Sequence, residues 1–492
     1  MDEPHLKRDL GLVRTTMLGI GGTLSAANFV IIGEAAGMAG YAIVPIVVIC
    51  GFLSLLTMFS YAELGTAIPL AGGEYTFSKV AYGGFTSFLT GWFEWLSNMF
   101  YAALSAIGFA YVVSYLFPQI NLALTAVIVV IVFSIINLRG TKETATAETI
   151  ITIIVLAILA IFIIGGWAFV TGTPVTPQTA SPIGALGIFA ATAYLFELYL
   201  GAEAVAAAQA EVKNPGRTIP LAIVLSAVVL IALYTSVVVV AVGIVPPDVL
   251  SEQSSPIAFV AEQAMGPAGA VLITVGLAIA GLAATNEAIL AQSRVLYAMS
   301  RDGYMPKALC KVHKRFCTPH LAIAVGAVFT MIFAATGLVN FVVYAVNFGF
   351  IIGFSIVNLS VIKLRKIAPH LKRPFKAPLY PLTPIAGIAA SIFLALFIEP
   401  SVLILGVELI IVALLVYYIR MVGHNRIRVA FGGISLGLGA FVAFVAYLLG
   451  TNIVMLPGVS AGMSTLLFFV LIFVSVIQVV AGVLNMTAPD RR

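Results

Sequence analysis

Six glutamates stand inside strongly apolar stretches: Glu34, Glu94, Glu197, Glu203, Glu287 and Glu408. Apart from Arg420 and His320 at the very ends of two stretches, they contain no basic residue, and the other histidines (His5, His313, His370 and His424) fall between them. A charged acid at the middle of a bilayer costs about 2.5–3.5 kcal/mol on insertion scales. Each carboxyl must therefore be protonated, hydrated in a cavity, hydrogen-bonded, or paired with a cation that comes and goes. That pattern fits a pathway for positive charge, as protons, as a cationic solute or as both. Burial could instead keep an acid neutral and leave it a hydrogen-bond donor. The neutral reading suits Glu94 and Glu408, and the functional one suits Glu203 and Glu287. Glu34 and Glu197 fit either.

The stretches that must position these acids are unusual. Residues 17–40 read MLGIGGTLSAANFVIIGEAAGMAG. Glycine costs a helix about 1 kcal/mol relative to alanine. Here Gly19, Gly21, Gly22, Gly33, Gly37 and Gly40 surround a small polar centre of Thr23, Ser25 and Asn28. The pattern predicts a helix interrupted near residues 25–28. Glycines that let a continuous helix pack closely are the alternative. A second candidate break lies within residues 183–210, whose middle reads LFELYLGAEAV. Interrupted spans are tolerated where the freed backbone lines a cavity or is buried in protein. In secondary transporters, paired broken spans in two inverted halves make the midplane site.

Composition sets the class. The chain is 61% hydrophobic and 9% charged, against about 25% charged in an average soluble domain. Apolar runs near span length recur from end to end, which makes an all-α polytopic membrane protein. About fourteen spans are expected, near 17–38, 41–62, 85–116, 121–138, 149–171, 183–209, 219–245, 267–293, 320–337, 339–362, 383–399, 401–420, 429–450 and 463–486. With the amino terminus in the cytoplasm, every lysine and arginine falls on one side. The other side holds Asp248, Glu252, Glu262 and Glu399. The positive-inside rule then places both termini in the cytoplasm, and the net charge of +5 gives no reason to expect nucleic-acid binding. No cleavable signal peptide is expected at the amino terminus.

Four further stretches carry a resemblance. After the eighth span comes NEAILAQSRVLYAMSRDGYMPKALCKVHKRFCTPHLAIA; residues 61–92 read YAELGTAIPLAGGEYTFSKVAYGGFTSFLTGW. Residues 211–220 read EVKNPGRTIP, and residues 364–384 read LRKIAPHLKRPFKAPLYPLTP. In their order along the chain they resemble amino acid permeases of the APC (amino acid–polyamine–organocation) superfamily, and the span number resembles its cationic amino acid transporter branch. The resemblance implies a leucine-transporter-like fold: a 5+5 inverted repeat with helices 1 and 6 broken. Residues 17–182 and 183–382 would be the two repeats, after a cytoplasmic segment 1–16 and before four extra C-terminal helices in 383–492. It also implies substrate between the breaks, its carboxylate on backbone N–H groups of span 1 and its amino group on carbonyls of spans 1 and 6.

The family's glycine-rich break aligns with Ser25, Ala26, Ala27 and Asn28, without its glycines. Asn28 is expected to add a side-chain contact. The aromatic-x-Gly of span 6 falls at Tyr199, Leu200 and Gly201, and the acidic position at Glu203, a candidate for gating or coupling together with Glu197 and Glu34. Asn98 and Glu287 are expected to complete the pocket. The lysine that some relatives carry in span 5 is absent from residues 149–170.

Other signals are weaker. Cys310, His313, Cys317 and His320 have zinc-like spacing, but His313 and Pro319 belong to the permease pattern. No phosphate loop or common hydrolase motif stands out. Trp92 and Trp95 are expected to pack or to anchor at an interface. The reading is a plasma-membrane secondary transporter, not an enzyme, without cofactor, coupled to H+ or Na+ or exchanging. Its last four spans would be scaffold or homodimer surface. An organic-amine or polyamine carrier, or a sensor that binds without translocating, are the alternatives.

Overall fold

The computed structural model describes residues 10–68, 72–140, 145–170, 184–207, 209, 212–421, 426–451 and 461–487. Their regular structure is helical, apart from one parallel bridge between Leu10 and Val212. Residues 10–298 and 308–398 make one compact unit, and residues 299–307 with 399–487 make a second.

The first unit opens with α1 (Leu12–Thr23) and α2 (Ala26–Ala39), then α3 (Ile43–Ala67), a short α4 (Gly73–Ala81) and α5 (Gly84–Ser114). Next come α6 (Leu122–Arg139), α7 (Ala145–Trp167), α8 (Gly184–Leu195), α9 (Ala204–Ala207) and α10 (Pro215–Ile244). After α11 (Pro247–Ser251), α12 (Pro256–Arg301) is kinked where Gly266 leaves helical geometry (φ 68°, ψ −168°). The unit ends with α13 (His320–Thr336), α14 (Val339–Ile367) and α15 (Leu382–Ala395). Eight helical stretches among the described residues are long and apolar enough to cross a membrane, and several shorter apolar helices accompany them. A polytopic, all-helical protein is thus what the apolar runs build.

Interior polar side chains stitch the helices together, as suits a bundle whose apolar faces gain little from leaving lipid. On α14, Asn358 accepts from Ser60 Oγ (2.7 Å) and donates to Thr57 Oγ1 (2.9 Å), both on α3. Asn137 of α6 donates to Asn286 Oδ1 of α12 (2.8 Å). The indoles of Trp92 and Trp95 pack edge to face, 5.3 Å apart and buried on α5.

The connection after α14 is held by one acid. Glu63, 1% exposed near the end of α3, accepts from Arg365 Nε (2.8 Å) and Nη2 (2.6 Å) and from the Ala377 N–H (2.8 Å). Arg373 Nε lies 3.3 Å away, and its Nη groups cap the carbonyls of Leu364, Ala368 and Leu371. Arg373 thus adds donors to carbonyls at and just beyond the end of α14, where one guanidinium fork can serve several at once. The proline-rich stretch that follows is thereby tied back to the end of α3 through Glu63.

In the second unit, α16 (Pro400–Met421), α17 (Arg426–Gly450) and α18 (Ala461–Thr487) are again apolar helices. Ser435 of α17 donates to Gln478 of α18, and Tyr304 stacks on Tyr417 (6.0 Å). Glu408 is half-buried on α16.

Candidate functional site

The first break lies between α1 and α2. Helical geometry stops at Leu24 (φ −82°, ψ 112°) and Ser25 (φ −128°, ψ 154°), and Ser25 Oγ caps α2 by accepting from the Ala27 N–H (3.3 Å). Serine competes well for this position because its hydroxyl meets an N–H that the new helix leaves open. The carbonyls left behind by α1 are also met. The Gly22 carbonyl accepts from the Tyr101 hydroxyl (3.2 Å). The Thr23 carbonyl accepts from Asn28 Nδ2 (2.8 Å) and from the Tyr234 hydroxyl (3.2 Å). Asn28 Nδ2 also donates to Tyr234 Oη (2.7 Å).

The second break follows α8. A 3-10 turn (Phe196–Tyr199) loosens the helix, Leu200 is extended (φ −80°, ψ 143°), and Gly201 takes φ +111° before α9 begins. Left-handed φ admits glycine at little cost. The Gly201 N–H donates to both carboxylate oxygens of Glu203 (2.9 Å each).

The two breaks touch. A Cβ on Gly201 would overlap the Gly22 carbonyl and come within 2.8 Å of the Thr23 nitrogen. A Cβ on Gly22 would lie 3.1 Å from the Gly201 carbonyl and 3.2 Å from Glu287 Oε1 of α12. The junction thus brings together two interrupted backbones and the carboxylates of Glu203 and Glu287. Glu197 stands two residues before Tyr199, fully buried, and neither of its oxygens has a hydrogen-bond partner.

The expected residues divide accordingly. Ser25, Asn28, Tyr199, Leu200, Gly201, Glu203 and Glu287 form or adjoin the two breaks. Ala26 and Ala27 belong to the first turn of α2 and are fully buried; Gly108 of α5 lies against the Ala27 backbone and Gly281 of α12 against the Ala26 side chain. Tyr199 turns its hydroxyl to the Val47 carbonyl (2.8 Å) and packs on Tyr234. Asn98 is not drawn into the junction by its amide, which donates to the Glu94 carbonyl one turn back (2.7 Å). Glu34 is half-buried on the far part of α2.

Residues outside the expected set also matter. Tyr101 and Tyr234 hold the carbonyls of the first break; a tyrosine in an apolar span needs a partner for its hydroxyl, and that was the available signal. Glu74 of α4 is buried, accepts from the Tyr61 hydroxyl and faces Gly353 of α14. Burial first, and the Glu94 charge second, push its carboxyl well above the ordinary carboxylate range. In the zinc-like segment, His313 Nδ1 accepts from the Arg315 N–H (3.2 Å), an interaction within its own turn.

A family model described as amino acid permease matches residues 10–420. The chain belongs to that family. Among its relatives, the branched-chain amino acid permease BcaP of Bacillus subtilis is 28% identical over 446 residues, covering 87% of this chain and 96% of the relative. The methylthioribose transporter of the same organism is 32% identical over 448 residues, covering 86% and 95%. The vacuolar cationic amino acid transporter 2 of Arabidopsis thaliana is 28% identical over 387 residues, covering 74% of this chain and 61% of the relative. This permease is therefore a transporter rather than an enzyme, a multi-pass membrane protein with a small-molecule substrate.

Proposed function

We propose that this permease is a secondary active transporter that moves an amino acid, with cationic side chains favoured, across the plasma membrane by alternating access. The contact of Gly201 with the Gly22–Thr23 backbone carries the reading. Two helices broken side by side bring the partial charges of several helix ends to one place, and such ends suit an ionic solute without a dedicated cofactor. On this account Ser25, Ala26, Ala27 and Asn28 flank the solute on one side and Tyr199, Leu200 and Gly201 on the other, with Glu287 and Asn98 completing the pocket. Glu203 gates or couples, assisted by Glu197 and Glu34, and transport is coupled to protons or proceeds by exchange. The arrangement is a 5+5 inverted repeat over residues 17–182 and 183–382 within fourteen spans, with both termini cytoplasmic.

A second reading, an organic-amine carrier, is favoured by the alanine side chains at the carboxylate-binding end of α2 and by the close approach of Gly108 to Ala27. Counterflow in proteoliposomes tests both readings. Labelled arginine should accumulate against unlabelled arginine and be displaced by alanine. Displacement by putrescine alone would transfer the assignment to the amine carrier. Binding of arginine, alanine or putrescine without accumulation of any of them would make the protein a sensor.

A further inference from the structure

We infer that Glu197, together with Asn28 Oδ1, forms a subsite for a primary ammonium group of the transported solute. The inference rests on the transport reading above and deepens it. Glu197 and Asn28 are both fully buried. Neither oxygen of Glu197 accepts a hydrogen bond, and nor does Asn28 Oδ1. The orientation of the Asn28 amide follows from its bonds, because Nδ2 donates to the Thr23 carbonyl and so Oδ1 is the atom left over.

The surroundings do not supply what these oxygens lack. Glu197 interacts electrostatically with Tyr101, Tyr194 and Tyr234. Each tyrosine has one hydroxyl hydrogen, and each hydrogen is engaged. Tyr101 gives its own to the Gly22 carbonyl, Tyr194 to Asn340 Oδ1 (2.6 Å) and Tyr234 to the Thr23 carbonyl. No lysine or arginine lies within residues 184–207 or 215–244 except Arg217 at the start of α10. Three buried acceptor atoms therefore lack donors, and two of them belong to the Glu197 carboxylate.

An unpaired buried carboxylate is costly, and removing the cost takes both positive charge and N–H donors. A primary ammonium carries one charge and three N–H donors. A lone proton on Glu197 would neutralise the charge but supply a single donor, leaving at least one of these acceptors unmet. A carboxylate solute group would add repulsion. The chemistry at Glu197 and Asn28 Oδ1 thus selects for an amine, whether the α-ammonium or the side-chain ammonium of an amino acid.

The test is equilibrium binding of lysine, norleucine and 1,5-diaminopentane to the purified full-length protein and to Glu197→Gln, with the thermal midpoint of each protein recorded. Glutamine keeps the volume and removes the charge, so Glu197→Gln should melt at or above the parent temperature. Its affinity should fall about tenfold or more for at least one probe, the range for losing a charge-assisted hydrogen bond. Equal losses for lysine and norleucine place the α-ammonium at Glu197. Losses for lysine and 1,5-diaminopentane, with norleucine unchanged, place the side-chain ammonium there. Glu197→Asp should recover part of the lost affinity. Unchanged affinity for all three probes overturns the inference, as does a parent protein that binds none of them. An effect on the pH dependence of uptake with affinity intact overturns it too, since Glu197 would then carry a proton and not an amine. Lost affinity in a protein that shows no counterflow would leave the subsite standing and remove the transport reading.

Discussion

Glu63 and Glu197 are the same side chain at nearly the same burial, 1% and 0% exposed, yet their surroundings are opposite. Glu63 accepts from Arg365 and the Ala377 N–H and pairs with Arg373. Glu197 has no hydrogen-bond partner at all. A carboxylate enclosed by two guanidinium groups is a fixed joint between α3, α14 and the stretch after it. A buried carboxylate without a donor, while the hydrogens of Tyr101, Tyr194 and Tyr234 are engaged elsewhere, is complete only when something enters. Burial alone therefore does not separate a structural acid from a functional one; the count of donors around it does.

The comparison can be broken or sharpened by substitution. Glu63→Gln should have the largest effect, because it leaves two arginines without their counter-charge. Breaking one side of a buried ion pair costs about 3–5 kcal/mol, and the expected result is a large fall in the thermal midpoint in detergent. Gly201→Ala should follow at about 2–4 kcal/mol, from a left-handed φ and a methyl group forced into the Gly22 carbonyl. Its measurement is the yield of folded, monodisperse protein. Asn28→Ala removes two hydrogen bonds that bridge the first break and should lower stability by about 1 kcal/mol, with weakened solute binding measured alongside.

Glu74 gives the smallest effect and a signed pH dependence. A carboxyl whose pKa is raised on folding binds its proton more tightly in the fold than in the unfolded chain. Its contribution is full below the ordinary carboxylate range and is lost as pH rises through that range towards the raised value. Thermal midpoints of Glu74→Gln measured against pH should therefore decline less on the alkaline side than those of the parent.

Much of the fold was legible because its signals are local. Apolar runs predicted helices, and Gly21, Gly22, Ser25 and Asn28 predicted the first interruption within a residue or two of where Leu24 and Ser25 leave the helix. The second break was legible in Gly201, whose φ of +111° suits glycine. What was not legible depends on partners distant in the chain. Glu63 meets Arg365 across 302 positions, and no spacing rule connects them. The amide nitrogen of Asn28 closes the break with Thr23 and Tyr234, the latter 206 positions away, which no local pattern announces. The Asn98 amide donates to the Glu94 carbonyl one turn back, a bond any helical asparagine can make and that sequence alone does not reveal. Glu74 is not legible from spacing because it sits on a short polar helix and is buried by packing against α5 and α14 and by its bond to Tyr61.

The central claim, that Glu63 is a filled acid and Glu197 an open one, is tested most directly by the arginine-induced shift of the thermal midpoint in three proteins. The parent should be stabilised by arginine. Glu63→Gln should melt well below the parent yet retain an arginine shift. Glu197→Gln should match or exceed the parent without arginine and show little or no shift with it. The reverse pattern, a Glu197→Gln protein that is unstable but still stabilised by arginine, would contradict the claim and make Glu197 a structural residue.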